Sequence, residues 1–322
     1  MPTDAKMGLL VPSCFAAAPP NMEAYTRFFR RADDLGFHSL WVIDRIFHRI
    51  NIMEPLTLLT CAATVTTRIR LGTSVILSLF RNPVQLAKTT ATLDYLSGGR
   101  VTLGISLGGW DNEFEAMGIA KGRRVSLFRE NLTLMRKLWA ETDVTHHGRF
   151  YHMDNVNVWP KPLQKPGIPI IIGAYADAAL KRSAEHADGW VAGTGNQETF
   201  RQARQKVQDY ARGAGKNPDS LDSGKVLYIC MGKDREQCAI RRGQQLRLWD
   251  TRTMRGENSG LHRRRRQDYD SGSHLAGCCP DRPHCARRGA VTSLRGLSSN
   301  PKLEILHTTV SKSHPDPASY PH

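Results

Sequence analysis

Short apolar runs rich in β-branched residues alternate with helix-period stretches from Gly8 to Cys230, and this rhythm most constrains what the 322 residues can fold into. Strands are expected at Gly8–Val11, Ser39–Ile43, Arg70–Leu77, Val101–Ser106, Ile170–Ile172, Gly189–Ala192 and Lys225–Cys230. Between them, Met22–Leu35, Pro55–Val65, Pro83–Leu96, Leu127–Trp139, Ala176–His186 and Thr199–Gly213 read as helices, with another beginning near Asp234. On the first of these, Phe28, Phe29, Ala32 and Leu35 share one stripe. Pro55 and Pro83 sit at first helical turns, where a missing N–H costs nothing. Strands that alternate with helices build parallel sheets, and a chain of this length can close one into an α/β barrel. Seven strands are legible, and an eighth βα unit is missing or scrambled.

The rhythm breaks once inside the barrel pattern. Val144–Asn157 carries His146, His147, Tyr151 and His152 among polar residues, and the following WPKPLQKPGIP holds four prolines. Such a stretch is neither helix nor central strand, so an insertion near 144–168 is expected, a hairpin followed by a rigid extended crossing. The histidines lack the spacing of a metal site, and no metal is expected.

Charge divides the chain again. The net charge is +15, yet 15 of the 45 basic residues and only 7 of the 30 acidic ones fall in the last 86 positions. Past Leu248 both periods vanish, so a barrel domain over 1–248 and an atypical basic tail over 249–322 are expected. Arg263–Arg266 would suit a nucleic-acid-binding arm, but interleaved aromatics are lacking. Cys278, Cys279, His284 and Cys285 lack the usual zinc spacing. Arg-, Ser-, Cys- and His-rich text is also what a GC-rich gene yields when read out of frame, and this reading is favoured. Only Lys302–Val310 regains a pattern, that of an amphipathic helix. The seven cysteines form no secreted disulfide framework. Pro12 and Asp4 make the N-terminal apolar run a strand rather than a leader. No run reaches the roughly 18 apolar residues of a membrane span, so a cytoplasmic protein is expected.

Chemistry concentrates between Leu93 and Ile119, LDYLSGGRVTLGISLGGWDNEFEAMGI. A helix end, a Gly-Gly reversal and a buried strand lead into a glycine-rich loop carrying Asp111, Asn112 and Glu113. Polar groups and bare backbone at the C-terminal end of a parallel strand mark the catalytic face of such barrels. Gly108 and Gly109 allow backbone to approach a ligand closely.

Five ordered pieces carry a resemblance: ADDLGFHSLWVIDR, TTRIRLGTSV, RNPVQLAKTTATLDYLSGGRVTLGIS, HGRFYHMDNVNVWPKPLQKPGIPIIIGA and AEHADGWV. Together they resemble the bacterial luciferase-like monooxygenase superfamily, from about Met7 to Gln245. The resemblance implies a TIM-type barrel with FMN or the deazaflavin coenzyme F420 over the strand C-termini. It also implies a non-proline cis peptide near Thr73-Ser74-Val75, with Thr73, Ser74, Val75 and Leu77 meeting the ring. Asp44, Ser106, Gly108 and Asn112 would line the cofactor. Gly173-Ala174 and Gly193-Thr194, before helix N-termini, would take its phosphate. One deazaflavin subgroup, the sugar-phosphate dehydrogenases, resembles this chain with a glutamate where Gly109 aligns and a histidine where Arg45 stands; their absence argues against that activity. Asp44, His48 and Asn112 are the candidate catalytic groups, and Asp44→Ala is expected to weaken activity more than stability. Ordinary strand residues at 73–77 and a surface turn at Asp44 are the bland alternatives. The expected partner is a small-molecule substrate, with F420 slightly favoured over FMN and a homodimer left open. A non-catalytic member with an unclosed barrel is the rival.

Overall fold

The computed structural model describes residues 5–193, 195–227 and 305–310. All belong to one of the two units into which the chain divides, Met1–Met231 with Glu304–His322; the other is Gly232–Leu303. Thr194, the helix expected near Asp234, the Arg263–Arg266 run and the cysteine-rich stretch lie outside the described residues.

Eight strands form a closed ring. They are β1 (Ala5–Leu10), β2 (Ser39–Val42), β3 (Arg70–Thr73), β4 (Val101–Ser106), β5 (Ile170–Gly173), β6 (Gly189–Ala192), β7 (Asp222–Val226) and β8 (Ile305–Val310). Each of β1 to β6 pairs in parallel with the next, for example Gly8 with Ser39, Ser39 with Arg70, Leu103 with Ile170 and Gly189 with Asp222. Helices α1 (Met22–Asp34), α2 (Pro55–Val65), α3 (Pro83–Leu96), α5 (Arg124–Ala140), α6 (Asp177–His186) and α7 (Gln197–Gly213) lie in the connections, with a short α4 (Asp111–Ala116) after β4. A side-chain cap opens several of them: Asn21 accepts from Ala24 N–H, Glu54 from Thr57 N–H, and Asn82 from Val84 and Gln85 N–H.

The eighth position departs from the pattern. β8 is antiparallel to both neighbours, pairing Val310 with Ala5 and Ser223, and Ile305 with Leu10. Lys302–Val310 was expected as an amphipathic helix; its last six residues are a strand instead. The slot between β1 and β7 offers unpaired edges on both sides, and four of those six residues are β-branched, a composition that favours the extended backbone. Among the described residues, an antiparallel strand thus stands where a parallel eighth unit would close the barrel.

Two apolar layers flank the ring. Outside, between sheet and helices, Phe29, Leu40, Leu59, Ile69, Leu71, Leu103 and Leu134 are completely buried. The buried stripe of α1 runs through Tyr25, Phe29 and Ala32, while Leu35 at its C-cap faces solvent, so the expected stripe is rotated. Inside the ring, Trp41, Ile171, Val191 and Val226 form a separate cluster with Leu10 and Val75. Strand alternation puts Ile171 inward while Ile170 and Ile172 join the outer layer. The Trp41 indole lies across β3, where a Cβ on Gly72 would sit 2.4 Å from its ring. Its Nε1 donates to Ser39 Oγ at 2.8 Å.

The insertion is the expected hairpin, Val144–His147 against His152–Val156. Glu130 of α5 holds its turn, accepting from the backbone N–H groups of Arg149, Phe150 and Tyr151 and contacting His146 Nε2 at 3.3 Å. The proline-rich crossing follows, with cis bonds at Trp159–Pro160 and Lys165–Pro166. Among the described residues no helix is long and apolar enough to cross a membrane.

Candidate active site

Seven strands end at one mouth of the ring, and the structure there starts with a break in β3. The sequence reads Arg70–Leu77 as one strand; the ladder stops at Thr73 and resumes at Ile76–Leu77, which pairs with Ile105 and Ser106 of β4. The Ser74–Val75 peptide between them is cis, where the resemblance places one. The backbone of this ledge is tied on every side. Ser74 N–H donates to Val42 O at 2.8 Å, and Thr73 Oγ1 to Gly104 O at 2.7 Å. A Cβ on Gly104 would lie 1.8 Å from Thr73 O, so only glycine lets β4 approach this closely. Ser74 and Val75 are left half-exposed at the mouth, whereas Thr73 and Leu77 are buried, and the Thr73 hydroxyl is turned to the backbone.

Asp44 follows β2 and is only 6% exposed. Its Oδ2 accepts from Leu77 N–H at 2.9 Å, and both of its oxygens meet the Arg81 guanidinium. Arg81 also reaches Glu54 Oε1 at 3.1 Å. Burial opposes the charge on Arg81, but the hydrogen bonds and charges of Asp44 and Glu54 outweigh it and raise its pKa. Asp44 is thus no surface turn; it pins the far end of the ledge.

Across the mouth, the expected glycine-rich loop winds into α4. Asp111, Asn112 and Glu113 form its first turn, with Glu113 Oε2 accepting from Trp110 N–H at 2.7 Å and Glu113 N–H donating back to the Trp110 carbonyl at 3.0 Å. Glu113 is 1% exposed; Asn112 is exposed. Arg45 stands 4.4 Å over the Trp110 ring and 3.4 Å from Glu113 Oε2. The His48 ring lies 6.4 Å from that of Trp110, and its Nδ1 accepts from Ile50 N–H at 3.2 Å. Burial and the Arg45 charge hold the His48 pKa below its usual value, against the pull of Glu113. Gly109 has φ +136°, and a Cβ there would lie 2.6 Å from the Phe80 ring, so this loop shape cannot host a glutamate at that position. Ser106 ends β4 buried, its carbonyl accepting from Ser78 Oγ at 3.3 Å, and Gly108 is exposed.

The two expected phosphate loops follow β5 and β6. Gly173 faces Val75, whose methyls would lie 3.1–3.2 Å from an added Cβ, and Ala174 is buried with its N–H donated to Val191 O at 3.3 Å. The N-cap of α6, Ala176, supplies no side-chain cap, whereas Asn196 caps α7 through Thr199 N–H. The Tyr175 hydroxyl lies over Gly193, 2.3 Å from where its Cβ would be.

The fold therefore gathers Asp44, Ser74, Val75, Ser106, Gly108 and Gly173 around one mouth, with His48 and Asn112 on its surrounding loops. Sequence reasoning missed Arg81, Trp110 and the buried role of Glu113. No spacing in the sequence marks the last two: Trp110 is not a capping residue type, and Glu113 turns inward only because its carboxylate accepts from the Trp110 N–H.

The chain belongs to the luciferase-like monooxygenase family, whose sequence pattern matches residues 6–276. Over 140 residues it is 41% identical to an uncharacterized protein of Mycobacterium tuberculosis, Rv0953c, a match covering 43% of this chain and 49% of that protein. The chain thus spans about half the length of that relative. Among solved structures it resembles monooxygenase RslO1 from Streptomyces bottropensis, at TM-score 0.63 and 27% identity over 77% of this chain and 75% of that one. It also resembles the coenzyme F420 dependent tetrahydromethanopterin reductase from Methanopyrus kandleri, at TM-score 0.61 and 24% identity over 73% and 69% of the two chains, a likeness of fold.

Proposed function

We propose that this chain is an oxidoreductase that holds coenzyme F420 over the mouth of the ring and acts on a small organic substrate, with FMN as the alternative cofactor. The observation that carries the reading is the ledge: Asp44 and Gly104 fix its backbone and leave Ser74 and Val75 half-exposed beside the apolar floor of Trp41, Ile171, Val191 and Val226. A flat, partly polar ring fits such a surface, apolar below and hydrogen-bonding at its rim. When bound, the cofactor supplies the hydride chemistry. The protein's part is to orient one ring face and exclude water. Ser74 would offer its hydroxyl to the ring edge and Val75 its methyls to the ring face. Asp44 acts as a positioning residue through Leu77 and Arg81. His48 and Asn112, on the loops around the mouth, would offer polar contacts to a substrate. The uncapped N-terminus of α6, with Gly173 beside it, would take the cofactor phosphate. The likeness of the WPKPLQKP crossing to that of the deazaflavin subgroups supports F420.

A second reading, a non-catalytic member of the family, is favoured by the antiparallel β8. Parallel titrations with F420 and FMN, followed by quenching of cofactor fluorescence, separate the two readings. Saturable micromolar binding of either cofactor supports the oxidoreductase and selects its chemistry; binding of neither by folded protein supports the second reading.

A further inference from the structure

The loops after β2 and β4 flank the β3 ledge, and their side chains form one stack. The Arg45 guanidinium carbon is 4.4 Å from the Trp110 ring centre, and the His48 ring lies near that same indole. Among the described residues Arg45 makes one long polar contact, 3.4 Å to Glu113 Oε2, an oxygen already occupied by the Trp110 N–H. Glu113 Oε1, fully buried, has no hydrogen-bond partner among the described residues. The carboxylate therefore does not engage the arginine as a fork, although both oxygens and a planar five-donor cation are close together. Arg45 keeps about a quarter of its side chain, 24%, exposed to solvent.

A guanidinium backed by an aromatic face binds planar anions well, since its donors match a carboxylate edge and the adjoining π-system can run alongside the ring. We infer that Arg45, stacked on Trp110 and steadied by Glu113, is the substrate-anchoring subsite of this mouth, and that it takes a planar carboxylate. The placement beside the ledge ties this to the oxidoreductase reading: the substrate's acid group would be held on the β2/β4 side with the rest of the molecule directed over Ser74 and Val75. Glu113 is a positioning residue here, fixing the Trp110 backbone while leaving most of the Arg45 fork to the ligand.

The test uses the full chain without cofactor, titrated at constant ionic strength with benzoate and with benzamide, its neutral isostere, by ligand-observed NMR. The expected result is at least tenfold tighter binding of benzoate, a preference lost in Arg45→Gln and partly kept in Arg45→Lys, which retains charge without the fork. Equal binding of the two probes by the unmodified protein overturns the inference, whether or not the variants fold. So does a preference that survives Arg45→Gln. Titrating the same samples with F420 keeps the two questions apart: failure of cofactor binding alone sinks the oxidoreductase reading, and failure of the benzoate preference alone sinks the subsite.

Discussion

A buried carboxylate can work by reacting or by holding, and Asp44 shows how the difference reads in geometry. Both its oxygens are engaged by Leu77 N–H and Arg81, which ties it to the backbone of the ledge. Removing one partner of such a pair strands the other charge, at a cost of about 3–5 kcal/mol when it is buried. Asp44→Ala should therefore lower stability and cofactor affinity together, where the sequence alone suggests that activity suffers more; comparing the two losses decides between them. Urea unfolding of Asp44→Ala, Arg81→Met and the double variant checks this; the double variant should cost less than the sum of the singles. His38 gives the pH side of the same scale. Burial and the positive charges of Lys6, Arg70 and Arg68 push its pKa from 6.5 down to about 4. The unfolded chain thus binds the proton first, so stability is full above pH 6.5 and falls as pH drops toward 4. Melting curves of the protein and of His38→Gln over that range should converge at neutral pH and diverge below it, with the variant losing less. The sequence identified Asp44 as a residue of the mouth but not its partner, because Arg81 lies 37 positions away beyond a break in β3 that periodicity does not show.

At the scale of elements, α5 and the hairpin after it are one device. Glu130 accepts three consecutive backbone N–H groups and faces His146, bonds that hold its pKa low although burial pulls the other way. Glu130→Ala leaves those donors to be satisfied by water or not at all, a loss of about 1–3 kcal/mol. Faster amide exchange confined to Arg149–Tyr151, with exchange in β4 and β5 unchanged, is the expected signature. Elements with a strong period were legible in sequence: the spans of α2, α3 and β4 match their expected limits, since proline, capping residues and a buried apolar run mark each one. Where tertiary context decides, the reading slipped. Asp111–Glu113 reads as loop because its six-residue helix opens on a single side-chain contact, Trp110 N–H to Glu113, and Ile305–Val310 reads as helix because six residues carry too little pattern to reveal the edges they pair with.

For the whole molecule, the barrel owes its closure to a strand from far along the chain. Removing everything after Leu248 would strip β8 from between β1 and β7 and leave two bare edges. The shortened protein should melt at a lower temperature and self-associate, as light scattering during the melt would show. A melting curve like that of the full chain would mean that β8 adds nothing to the fold. The sequence located the fault at the eighth unit because helical and strand periods both fail there; the segment that fills the gap shows in sequence as a pattern but as the wrong element, because its partners lie about 80 or more positions away.

Because β8 meets its neighbours in the antiparallel sense, its first residue, Ile305, is level with Leu10 at the mouth, while Val310 reaches the floor beside Ala5. Seven strands of this barrel are links in a covalent chain of βα units, whereas the eighth behaves as a key seated in a socket. A socket of that kind is the working part of a split reporter: a seven-strand receiver and a short peptide bearing the Ile305–Val310 sequence, supplied separately, would restore the ring only when brought together.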